Sequence, residues 1–143
     1  MGQQQLLLLV LSTVIVGLAT VAGIQAFSEN QAQASQDALV QRATTIASDI
    51  QGLSGKPTQM GGVDITSSTD QATIAEKLGL STEDFDGTTA VPAEGAGNNG
   101  YCQLTNFSDG SLDIQCDSDN APQTVTVTVT PGADNPISTD FSS

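Results

Sequence analysis

The chain begins with a continuous apolar segment. Residues 1–28 carry no charged side chain, and twelve of the nineteen residues from Leu6 to Ile24 are leucine, isoleucine or valine. As an α-helix, a stretch of that length spans roughly 28 Å, close to the ~30 Å thickness of a bilayer's hydrocarbon core. Its apolar residues lie on every side, whereas a surface helix of a soluble domain has one apolar stripe. We therefore predict a membrane-type helix over residues 1–27.

A cleavable secretory signal is the alternative interpretation of this segment. Such signals begin with a basic region and have a shorter apolar core. Here the lead-in is Met1-Gly2-Gln3-Gln4-Gln5, without lysine or arginine, and the apolar run is longer. We therefore expect the segment to be retained, and a basic leader removed just before Met1 would explain the absent basic residues.

The helical pattern continues beyond the apolar segment. Residues 28–53 contain no proline and one glycine, Gly52, and their alanine, glutamine and leucine favour helix. Apolar side chains recur there at steps of four, three, four and three, which places them on one stripe. The stripe is Leu39, Ala43, Ile46, Ile50 and Leu53. With a stop signal at Gly55 and Pro57, the pattern predicts one helix of about fifty residues, amphipathic over residues 28–53.

Residues 54–143 are predicted to form one small exported head domain. This segment has only four aromatic residues, so its core needs the apolar stripe of the helix. Asp70, followed by QATIAEKLGL, indicates a capped short helix that ends near Gly79. Residues 81–85 are expected to start another helical turn, and residues 93–100, rich in glycine and asparagine, to form a loop.

Three strands are predicted after that loop. Residues 101–105 and 112–116 alternate in character and flank Ser108-Asp109-Gly110, a three-residue turn typical of hairpins. Residues 123–130, QTVTVTVT, place valines on one face and threonines on the other. Residues 131–143 are expected to be loop-like and either to edge the sheet or to fray. Because the connections are short, the sequence predicts an α+β fold, with the long helix packed on a small antiparallel sheet of at least three strands.

The two cysteines of the chain oppose each other in the predicted hairpin. Folding the chain about Asp109 pairs Leu104 with Ile114 and Cys102 with Cys116, all on one face. An isolated cysteine pair in an exported domain is usually a disulfide. We therefore predict a bond between Cys102 and Cys116.

The charge balance excludes several classes of partner. Sixteen acidic residues stand against three basic ones, and the net charge is -13. Nothing in the chain could neutralise phosphates, so we expect no direct binding of nucleic acid. The absence of a basic cluster also argues against docking on anionic lipid headgroups.

The residues needed for catalysis or for cofactor binding are mostly missing. The chain has no histidine, only two cysteines and no phosphate-binding glycine loop, so we expect no enzyme activity, metal or cofactor. Loop carboxylates at residues 83–86 and 117–119 could bind calcium, but the EF-hand spacing is absent, which favours solvated turn residues. Asn106-Phe107-Ser108 matches the sugar-acceptor pattern.

The predicted architecture resembles that of the type IV pilins. Members of that family have a mature N-terminal helix of this length, apolar first and amphipathic afterwards, packed on a small β-sheet. The likeness in sequence covers roughly residues 1–50. It implies a major pilin, the structural subunit of an extracellular filament. The residues that it implies for packing in the filament core are Leu6, Leu9, Val10, Val14, Leu18 and Val21. Met1 and Gln5 are the implied residues for N-terminal registration between neighbouring copies. The stripe defined above is the implied contact between helix and sheet.

Two features depart from the family pattern. Gln5 stands where the family usually has glutamate, and Ala22, between Gly17 and Gly23, stands where it usually has proline. Gln5 can accept a hydrogen bond from a neighbour's N-terminal amine, but without full charge pairing. The glycines either weaken the helix locally or let neighbouring helices approach closely.

The resemblance also implies a set of partners and a location. These are the membrane before assembly, a prepilin peptidase and pilus assembly machinery, and finally other copies of the chain in a helical homopolymer outside the cell. A pseudopilin of a secretion machine is one alternative, and a membrane-tethered binding module that never polymerises is another. Adhesion, motility and DNA uptake remain open as roles of the filament.

Overall fold

A computed structural model describes residues 2–143. It contains one long helix, α1 (Gly2–Ser54), followed by a short 3-10 turn (Thr58–Met60) and a second helix, α2 (Gln71–Leu78). The chain divides into two compact units, residues 1–32 and residues 33–143. Helix α1 starts in the first unit and ends in the second. We call the second unit, residues 33–143, the head; it includes the end of α1 as well as the predicted head domain, residues 54–143.

The sheet follows α2 and has six strands. They are β1 (Glu83–Phe85), β2 (Thr88–Pro92), β3 (Tyr101–Ser108), β4 (Ser111–Asp117), β5 (Thr124–Val129) and β6 (Ile137–Ser142). Their order in space is their order in sequence, and every neighbouring pair is antiparallel. The predicted α+β fold, a long N-terminal helix packed on an antiparallel sheet, is therefore confirmed.

The head core lies between the second half of α1 and one face of the sheet. The stripe Leu39, Ala43, Ile46, Ile50 and Leu53 is buried together with residues from β2 to β5 in a single cluster. Along β5 the three valines are fully buried and the threonines between them are only partly buried, as the alternation predicts. The head thus takes from α1 the apolar surface that its aromatic-poor strands do not supply.

The expected helical turn at residues 81–85 is wrong. Glu83–Phe85 is a strand, and Phe85 pairs with Thr88 across a two-residue turn. The turn residues Asp86 and Gly87 have φ of 50° and 85°, and positive φ at both positions is the signature of a type I′ hairpin. The Asp86-Gly87 turn therefore determines the conformation of this segment, and the acidic residues before it do not start a helix.

Residues 131–143 are loop-like only in their first half, and of the two expectations for this segment, an edge to the sheet and a frayed end, the second half takes the first. Ile137–Ser142 forms β6, which pairs with β5 along its whole length, from Val129 opposite Ile137 to Thr124 opposite Ser142. This segment lacks strict alternation because β6 is an edge strand, largely exposed on both faces. Backbone pairing with β5 therefore determines its conformation.

The β3–β4 hairpin has the predicted register but a different turn. Cys102 lies opposite Cys116 and Leu104 opposite Ile114, whereas Ser108 lies opposite Ser111. The loop is therefore Asp109-Gly110, and the extra residue is taken up by a bulge near Asn106, whose φ is 50°. The predicted three-residue turn is therefore wrong. The pairing of Cys102 with Cys116, which was derived from that turn, is nevertheless correct because the bulge compensates for the shorter loop.

The disulfide between Cys102 and Cys116 is present, with both cysteines fully buried. It closes a loop of ~15 residues, for which the chain-entropy estimate is roughly 3 kcal/mol. We expect the double variant C102A/C116A to lose about that much free energy of unfolding in denaturant titrations of the full chain in detergent. The exposed Gln115→Ala is the control, and its effect should stay within about 0.5 kcal/mol. Reactive thiols in the unreduced wild type would contradict the bond.

Helix α2 has the predicted caps. The backbone N–H of Thr73 donates to Asp70 Oδ1 at 2.8 Å, and Gly79 ends the helix with φ of 69°. Hydrogen bonds from the side chain and then the backbone of Thr73 hold the pKa of Asp70 below its ordinary value of 3.8. The charged carboxylate is therefore the form that the folded state prefers.

A lowered pKa in the folded state makes this contribution pH-dependent. Stability from the Asp70 cap is complete above the ordinary pKa and is lost as pH falls through the folded one. We expect Asp70→Asn, which can still cap but does not titrate, to flatten the decline of the melting temperature below pH 4 relative to wild type. Parallel decline of wild type and variant would show that Asp70 has no part in it.

Candidate functional site: the exposed apolar helix

The largest apolar surface in the described residues is the first part of α1. Every large apolar side chain of this stretch is more than half exposed, from 53 % at Val14 to 71 % at Phe27. The exposed set is Leu6, Leu7, Leu8, Leu9, Val10, Leu11, Val14, Ile15, Val16, Leu18, Val21, Ile24 and Phe27. These positions cover all sides of the helix. An apolar surface of this extent on one chain indicates that the segment works in contact with lipid or protein.

The structure places the six predicted filament-core residues within this surface. Leu6, Leu9, Val10, Val14, Leu18 and Val21 are all exposed along α1. Apart from the adjacent pair Leu9 and Val10, they are spaced by three or four residues and lie on one side of the helix, but their neighbours are equally exposed. Exposure alone therefore does not distinguish one packing face.

The polar side chains in the apolar segment are internally satisfied. The hydroxyl of Ser12 donates to the carbonyl of Leu8, that of Thr13 to Val10 and that of Thr20 to Val16, each at 2.8 Å. A hydroxyl bonded in this way to its own helix exposes no free donor to lipid or to a neighbouring helix. The three residues are therefore compatible with an apolar environment.

The small residues of the segment do not interrupt the helix. Gly17 and Gly23 lie within continuous α1, and a methyl group added at either position would meet no atom within 4 Å. The continuous helix at both glycines argues against a break there, and the open space beside them is shared by the whole exposed segment. Gln5 is exposed in the first turns of α1, while Met1, the other predicted registration residue, lies outside the described residues.

The segment is long and apolar enough to cross a membrane. Its most apolar 18-residue stretch is not buried within the structure. A signal sequence near an N-terminus shares the length and composition. The helix is thus suited to a membrane or to a signal function.

The loop carboxylates considered for calcium form turn contacts. Asp84 Oδ1 accepts from the N–H of Gly87 at 2.8 Å, and Asp119 Oδ2 accepts from Asn99 Nδ2 at 2.9 Å. Asn120 Oδ1 accepts from the N–H of Asn98 at 2.8 Å. Within residues 2–143, no three acidic, histidine or cysteine side chains are grouped as metal ligands would be. The contacts are those of turn residues.

One cleft of the head is acidic and aromatic. It has a volume of about 220 Å³ and is lined by Phe85, Asp86, Thr88, Asn99, Tyr101, Asp117, Ser118 and Asp119. Phe85 and Tyr101 stack with ring centroids 5.4 Å apart. Burial, and then the charges of Asp117 and Asp86, raise the pKa of the Tyr101 hydroxyl. Sequence reasoning missed this cleft because the pairing of β1 with β2 brings Phe85 and Asp86 to it.

Comparison of the chain with protein-family models, with curated proteins and with solved structures gives no match.

Proposed function

We propose that the chain is the structural subunit of an extracellular type IV pilus-like filament, assembled through the apolar part of α1. The observation that carries the proposal is the continuity of α1: one helix of 53 residues has exposed apolar side chains through Phe27 and a buried stripe from Leu39 onwards. The same helix therefore contributes the buried stripe of the head and the exposed apolar surface.

Burial of the apolar segment supplies the driving force. On insertion scales each leucine, isoleucine or valine favours the membrane by about 0.3–0.6 kcal/mol, so the twelve between Leu6 and Ile24 contribute roughly 4–7 kcal/mol. That surface is equally satisfied among identical helices, because lipid and leucine side chains are similarly apolar. A membrane can thus hold the subunit before assembly, and the same surface can then form the filament core.

In the first turns of α1, Gln5 would align neighbouring copies less strongly than a charged residue would. Gln5 is exposed there and can accept a hydrogen bond from the N-terminal amine of a neighbouring copy. A neutral amide forms a bond of about half the strength of a charge-assisted one. In this proposal, close helix packing at Gly17 and Gly23 contributes more to the polymer than N-terminal pairing does.

Electron microscopy of material sheared from cells tests the proposal. Thin filaments composed chiefly of this chain, as identified by mass spectrometry, are the expected result. A chain that stays in the membrane until detergent is added, with no polymer, would instead support a membrane-tethered module. Filaments formed only on overexpression of a secretion system would support a pseudopilin. Secreted chain lacking residues 1–27 would eliminate all three.

A further inference from the structure

The two lysines of the chain share one groove of the head. Lys56 follows the end of α1 and Lys77 lies in the last turn of α2, and both line a groove of about 410 Å³. The other lining residues are Ser48, Asp49, Gly52, Leu53 and Leu78. Both lysines are exposed, and Asp49 is the single carboxylate of the lining. With two lysines and one aspartate, the groove carries a net charge of +1.

This groove is an exception on a strongly acidic head. Fifteen of the sixteen acidic residues lie in residues 33–143, together with all three basic residues, so the head has a net charge of -12. Copies brought together in a polymer repel one another at that charge. An arrangement that places the few cations against a neighbour's carboxylates reduces this repulsion and fixes the orientation of the heads.

The acidic cleft beside Tyr101 is complementary to the groove, since its charge is opposite and its aromatic rings suit a lysine side chain. Three aspartates, Asp86, Asp117 and Asp119, line it, and it shares no lining residue with the groove. The stacked rings of Phe85 and Tyr101 provide apolar faces for the methylene stem of a lysine. The ammonium group of the same lysine would then meet the carboxylates.

We propose that the lysine groove of one copy docks on the acidic cleft of a second copy. This inference rests on the proposed function, because it assigns the contact between neighbouring heads within that filament. The contact joins two different patches, and a heterologous contact of this kind continues into an open helical polymer and need not close into a dimer. Each head thereby uses its groove on one neighbour and its cleft on another.

Charge reversal with rescue tests the contact in the full chain. We expect K56E/K77E to lower the yield of sheared filaments by about tenfold or more, since like charges then face each other across the contact. Adding D117K/D119K to that variant should restore the yield. Adding E94K/D134K gives the same net charge with lysines at other exposed sites and should not restore it.

The outcomes separate this inference from the proposed function. If wild type forms filaments and K56E/K77E forms as many, the contact is refuted while the filament stands. Equal rescue by E94K/D134K would show that only net charge matters, and absence of rescue by D117K/D119K would remove the cleft as the partner. Absence of filaments in wild type would refute the filament itself. Melting curves of each variant in detergent must match wild type for the yields to be compared.

Discussion

Replacing Val14 with glutamate is expected to abolish filaments while leaving the head folded. Val14 lies in the middle of the apolar part of α1, is 53 % exposed and is not part of the head core. A charged side chain at the centre of a membrane helix costs about 2.5–3.5 kcal/mol, and an unpaired charge buried among apolar helices costs several kcal/mol in each subunit. Because every subunit of a homopolymer carries the same substitution, the penalty recurs at each step of assembly.

The measurement is the amount of sheared filament together with the melting curve of the head. Val14→Leu is the matched control, since it keeps the position apolar and should leave filament yield unchanged. Membrane-inserted Val14→Glu with an unchanged melting curve and no filaments is the expected outcome. Persistent filaments in that variant would count against helix packing as the origin of the polymer.

The sequence predicted the parts of the fold that depend on long, regular patterns. The stripe from Leu39 to Leu53 recurs at helical spacing over four turns, so its direction towards a core followed from geometry. The register of β3 with β4 was equally well determined, although its turn was not, because one register places Leu104 opposite Ile114 and the two cysteines opposite each other. Regular repetition thus specified both the helix and the central register.

Short and edge elements were not predictable in the same way. Glu83–Phe85 has three residues, too few for any periodicity, and its conformation depends on the Asp86-Gly87 turn and on β2. Strand β6 is held by backbone bonds to β5, which the side-chain pattern does not encode. The acidic cleft could not be expected, because its residues converge only after these edge strands form.

The candidate functional surface was predicted in position but not in detail. An uncharged run such as Leu6–Ile24, apolar on every side, predicts a helix that is buried in lipid or among other chains, and its side chains are therefore exposed in a single copy. The partner of that surface is a second copy or lipid in our proposal, and a single chain presents the same exposed residues to either. The residues of this surface that pack against a neighbour are therefore defined only by the arrangement of copies in the polymer.

The complementary prediction concerns Ile46, on the same helix but within the head. Ile46 is fully buried in the core cluster, so Ile46→Ala removes packed atoms and leaves a cavity. We expect a loss of about 2–5 kcal/mol in the free energy of unfolding, measured by denaturant titration of the full chain in detergent. For a small head with limited core, that is a large fraction of the total stability.

Its neighbour Thr45 provides the control, because it is exposed and its hydroxyl donates to the carbonyl of Gln41 at 2.8 Å. Thr45→Ala should change stability by no more than about 0.5 kcal/mol. If Ile46→Ala were as mild as Thr45→Ala, the second half of α1 would not be packed on the sheet. Val14→Glu and Ile46→Ala should thus separate the two roles of one helix: the first abolishes assembly with a stable head, and the second destabilises the head while the apolar segment keeps its full surface.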